Sequence, residues 1–126
     1  MGLKDYNLKG RYGLQNKTSD VLIDELIDIL ENYFKEKIED FVVIEKTDQP
    51  YTMFSMRFNM YQNFNVILNY DRGAFGCAII NGDFGIDLEN SQQWYDKADM
   101  DIFCKELEQQ LELRIPDKFL EYHGWK

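Results

Sequence analysis

FSMRFNMYQNFNVILNY, residues 54–70, decides the architecture. Phe54, Met56, Phe58 and Met60 fall at every second position, with Ser55, Arg57 and Asn59 between them. An extended chain points successive side chains to opposite faces, so this is a strand with one apolar and one polar side. Gln62-Asn63 supplies turn residues. The alternation then resumes, with Phe64, Val66, Leu68 and Tyr70 set against Asn65, Ile67 and Asn69. Two strands of the same period on so short a connection make an antiparallel hairpin.

Reading outward toward the C-terminus, Asp71-Arg72-Gly73 is a second hairpin turn and AFGCAII, residues 74–80, the next strand. Asn81-Gly82 signals a third turn. It leads into Phe84, Ile86 and Leu88, whose period of two predicts an inward face, with Asp83, Asp87 and Glu89 outward. Toward the N-terminus, FVVIEK, residues 41–46, is a short β-branched strand that Gln49-Pro50 ends.

Helices flank the strands. Thr18-Ser19-Asp20 offers side-chain oxygens for the unpaired N–H groups of a helix start. Leu22, Ile23, Leu26, Ile27, Leu30, Tyr33, Phe34 and Ile38 then recur at helical spacing, with Asp24, Glu25, Asp28 and Glu31 on the other side, which predicts an amphipathic helix over about 19–37. Asp99 caps a second helix that carries Ile102, Phe103, Leu107 and Leu111 on one side. Pro116 stops it or starts a short last helix closed by Gly124. Helix, strands, helices is a segregated order. The expected fold class is α+β: an antiparallel meander of four to five strands with an N-terminal helix and one or two C-terminal helices. With 126 residues and no linker-like stretch, the chain makes a single domain, 1–126.

The net charge is −9, unevenly spread. Residues 19–40 hold eight acids against two lysines, and residues 81–112 nine acids against two lysines. Such a surface repels nucleic acid and anionic lipid and attracts basic proteins. No apolar run approaches the roughly 20 residues of a membrane span. MGLKDYNLKGRYG, residues 1–13, lacks the apolar centre of a signal peptide, and Tyr6 stands where N-myristoylation wants Ser or Thr. Cys77 and Cys104 read as buried free thiols in a strand and a helix, which suits a reducing, cytoplasmic setting.

Chemical motifs are few. Asp83-Phe84-Gly85 spells the metal-binding tripeptide of protein kinases, but the Gly-rich loop, strand lysine and His-Arg-Asp loop that kinases need are missing. Asp96, Asp99 and Asp101 lack the glycine and closing glutamate of a calcium loop, so no metal or cofactor is expected. His123 is the sole histidine, close to the C-terminus, and a pairing with Cys104 is disfavoured because Cys104 sits beside Phe103 on the expected core side of its helix. No enzyme is expected. The acids Asp83, Asp87 and Glu89 either guard a terminal strand against unwanted pairing or form a docking surface. Trp94, Tyr95 and Asp96 follow closely, and exposed aromatics among polar residues anchor protein interfaces. These six residues are the candidate partner-binding set.

The closing stretch ELEQQLELRIPDKFLEYHGW, residues 106–125, and the plan of the whole chain resemble the small immunity proteins of bacterial polymorphic toxin systems, such as contact-dependent growth inhibition. The resemblance implies a cytoplasmic toxin inhibitor that binds a cognate basic toxin domain, commonly a nuclease, in a 1:1 complex and covers its active face. An alternative of another class is an acidic chaperone of type III secretion. Those proteins interleave a helix among their strands, whereas here the strands run uninterrupted.

Overall fold

The computed structural model describes residues 17–126. The stretch read above for signal or lipidation motifs lies outside the described residues. The chain forms α1 (Ser19–Phe34), β1 (Ile38–Thr47), β2 (Met53–Met60), β3 (Phe64–Asp71), β4 (Ala74–Asn81), β5 (Phe84–Leu88), α2 (Met100–Glu112) and α3 (Asp117–Tyr122). The five strands pair in chain order as one antiparallel sheet with β1 and β5 at its edges. The fold is α+β, a meander with helices before and after it.

Thr18 caps α1 by accepting the Val21 N–H at 3.4 Å. Ser19 has another task. Its N–H and hydroxyl both donate to Asp48, at 2.8 and 2.9 Å, tying the helix start to the β1–β2 loop. These two donors hold the Asp48 carboxyl below the usual carboxylate range. The α-helix ends at Phe34, and a single 3-10 turn, Lys35–Lys37, completes the expected span.

The alternation in β2 and β3 holds through the register. Met56 faces Leu68, Phe58 faces Val66 and Phe54 faces Tyr70, all on one side. On β4 the same side carries Phe75, Cys77 and Ile79, opposite Tyr70, Leu68 and Val66. Leu22, Leu26 and Leu30 of α1 and Phe103, Leu107 and Leu111 of α2 complete this core. Each such side chain contributes roughly 2 kcal/mol on leaving water. The two cysteines are buried and free.

Three expectations change. First, β1 runs longer at both ends than 41–46, and its register shifts twice, between Glu39 and Val42 and between Val43 and Glu45. Asp40, at φ 62°, is the left-handed residue of the first bulge. Second, Phe84 and Ile86 share the covered face of the sheet, yet Phe84 is 76% and Ile86 41% exposed, because β5 extends past the helices. Only Leu88 of this strand is buried. Third, Ile102 is 43% exposed and stands outside the buried stripe of α2, which runs through Phe103, Cys104, Leu107 and Leu111.

The turns shift by one residue. Tyr61 and Gln62, at φ 57° and 58°, reverse the chain after β2, and Gly82-Asp83 does so after β4. Tyr61 is fully buried despite its strained backbone. Its phenol donates to Glu112 of α2 at 2.8 Å, and its ring meets Trp125 edge-on at 5.7 Å. Two further phenols clamp helix carboxylates: Tyr33 donates to Glu108 at 3.0 Å and Tyr95 to Glu25 at 3.1 Å.

Candidate functional site

Among the described residues, the helices pack on one face of the sheet and leave the other bare. The bare face carries Ser55, Arg57 and Asn59 from β2, Asn65, Ile67 and Asn69 from β3, and Ala74, Gly76 and Ala78 from β4. The three small residues of β4 leave a trough. A side chain added at Gly76 would meet nothing within 4 Å. The groove above them has a volume of about 390 Å³, and Asp71, Asp87 and Glu89 border it with Asn69 and Gln93.

Two of the six candidate residues, Asp87 and Glu89, therefore meet at this groove. Asp83 lies in the Gly82-Asp83 turn, at the other end of β5 from Glu89. Among the described residues, none of these three acids forms an ion pair.

Beyond β5 the chain returns to the start of β4. The Phe75 N–H donates to the Gln93 carbonyl at 3.0 Å and the Tyr95 N–H to the Gly73 carbonyl at 2.9 Å, with Ala74 and Trp94 opposed between them. Adjacent residues then part company. Trp94 stays 55% exposed, over Gly73, whose φ of 100° and lack of a side chain let the turn form beneath the ring. Tyr95 points inward, edge-on to Phe75 at 5.4 Å and Tyr70 at 6.2 Å. Burial first, then the neighbouring Glu25 carboxylate, raises its phenol pKa. Tyr95 is a core anchor and offers no free docking side chain.

Trp94 and Asp96 line a second cleft, of about 530 Å³, together with Tyr51, Arg72 and Asp48. The Arg72 guanidinium lies 4.1 Å above the Tyr51 ring and donates to Asp71 at 2.7 Å. Tyr51 and Arg72 are functional candidates that the sequence reading passed over. The available signal was the Asp71-Arg72-Gly73 turn itself, which must project its central side chain from the end of the sheet.

The chemistry elsewhere is quiet. Cys104 is fully buried, and its thiol is pushed up to about 12, by burial above all and then by the nearby Asp101 and Glu108 carboxylates. A nucleophilic cysteine needs the opposite shift. His123 stacks on Trp125 at 4.6 Å, inside an ordered C-terminal cluster with Phe119. Among the described residues, no group of three or more His, Cys, Asp or Glu side chains is placed to hold a metal ion. None of their helices is long and apolar enough to cross a membrane. Comparison with known protein families, curated proteins and solved structures found no match for the chain.

Proposed function

We propose that this protein is an immunity protein: it binds a cognate basic toxin domain in the bacterial cytoplasm and covers that domain's active face. The observation that carries the reading is the bare face of the sheet, with an acid-bordered groove and an exposed tryptophan at its end. A toxin that acts on nucleic acid must hold phosphates, so its active face is basic. An acidic partner meets it with complementary charge, which steers encounter, while desolvated aromatics hold the complex. The binder itself needs no catalytic group.

The resemblance to immunity proteins noted in the sequence points the same way. A secretion-chaperone reading has less support, because five strands follow one another here with no helix among them. Co-expression with the toxin gene adjacent to this one tests the proposal. The expected result is restored growth and a 1:1 complex that co-purifies. Continued killing without co-purification overturns it.

A further inference from the structure

We infer that the free edge of β5 takes up an extended segment of the partner as a sixth strand, with apolar and basic residues alternating along it. This rests on the binding reading above and names how, and with what chemistry, the partner docks.

The backbone sets the register. The hairpin between β4 and β5 closes through two residues, Gly82-Asp83, so Asn81 and Phe84 form a hydrogen-bonded pair. Ile79–Ile86 and Cys77–Leu88 follow at intervals of two and belong to the same class. The N–H and C=O groups of Phe84, Ile86 and Leu88 are thereby spent on β4. Those of Gly85 and Asp87 point away from the sheet and pair with no strand among the described residues, a ready template for another strand.

The side chains set the chemistry. On the helix side, Phe84 and Ile86 are exposed at 76% and 41% and continue a row whose third member, Leu88, is core. A strand laid against them buries apolar residues there. On the bare side, Asp87 faces a docked strand with a carboxylate, and Glu89, one residue past the end of β5, adds another beside it, which lysine or arginine complements. The same acids disfavour a second copy of this chain, because antiparallel pairing of two β5 edges brings both Asp87 carboxylates onto one face as near neighbours. The other edge differs. β1 also exposes Val42, Val43 and Ile44, but its two bulges interrupt the regular row of peptide groups that a partner strand needs. The edge of β5 has no such interruption.

A blocked eight-residue peptide of alternating valine and lysine is the probe, followed by amide hydrogen exchange in the full-length protein. We expect exchange at Gly85 and Asp87 to slow by about tenfold or more at saturation. A peptide of the same composition with its valines and lysines in separate blocks should give no such protection. Gly85→Pro removes an outward N–H without taking a bond from β4, and should abolish binding with the melting temperature nearly unchanged. Asp87→Lys is the second variant, and it should transfer preference to a valine–glutamate peptide. Equal protection by the block peptide, protection at Val42–Ile44 instead, or no protection at millimolar peptide each overturns the inference. Failed toxin rescue with this peptide signature intact would overturn the immunity reading alone.

Discussion

Replacing Tyr61 with Phe removes one buried oxygen and leaves the ring in place, so its effect can be worked out term by term. The side chain is fully buried, and its hydroxyl donates to the Glu112 carboxylate at 2.8 Å. Hydrogen bonds to charged groups contribute about 1.5–3 kcal/mol. Glu112 is only half-buried and can recruit water, which places the loss at pH 7 near the lower end, about 1.5 kcal/mol. Alkaline pH changes the balance. Burial first, then the Glu112 carboxylate, raises the Tyr61 pKa in the folded state, whereas the unfolded chain ionises near pH 10. The tyrosine's contribution is therefore complete below pH 10 and declines as pH rises toward the folded-state value. At pH 11 ionisation favours the unfolded wild type by about 1.4 kcal/mol, a gain the Phe variant lacks. The difference between the two proteins should thus shrink from about 1.5 kcal/mol at pH 7 to near zero at pH 11. Tyr33, pushed up to about 12 by burial and by its bond to Glu108, weakens both proteins alike and cancels, as do the two thiols. Urea unfolding of both proteins at the two pH values measures the effect. A gap that stays constant with pH, or none at pH 7, refutes the reasoning.

Two further outcomes concern the thiols and the docking surface. Cys77 and Cys104 should resist a thiol reagent in the folded protein and both react in urea without reductant, because burial raises both pKa values; a disulfide found by mass would contradict this. Once a partner is in hand, neutralising Asp83, Asp87 and Glu89 together should slow association and flatten its salt dependence, whereas Trp94→Ala should hasten dissociation by roughly 2 kcal/mol. Surface binding at two salt concentrations reads both; unchanged association in the triple variant, accompanied by self-association, would assign those acids to edge protection.

The fold was legible where one face of an element differs chemically from the other. Phe54 to Met60 and Phe64 to Tyr70 alternate because one side packs under helices and the other meets water. The same alternation misled at Phe84 and Ile86, since period assigns a face but does not reveal where the covering helices stop. In β1 the left-handed Asp40 shifts the phase, so a local pattern could not find the strand's beginning. In the candidate site, the parity of Asp87 and Glu89 was readable. The opposite fates of Trp94 and Tyr95 depend on a pairing with Gly73 and Phe75 that no local signal announces. The bonds from Tyr33 to Glu108 and from Tyr95 to Glu25 span 75 and 70 residues, beyond the reach of any periodicity.

Those two long-range bonds, set beside a sheet of nearest-neighbour hairpins, also order events in time. Every strand pairs with the one just synthesised, so β1 to β5 can assemble as the chain emerges, at small cost in loop closure. The clamps to α1 and α2 must wait for segments made much later. Until α2 arrives, Phe75 lacks Phe103, the ring that stacks on it at 4.7 Å, and the nascent sheet offers an oily flank to its neighbours. We expect these clamps to form after the sheet: weakening Tyr33 or Tyr95 should then leave the folding rate nearly unchanged and speed unfolding, and slowed refolding of either variant in stopped-flow measurements would contradict this order.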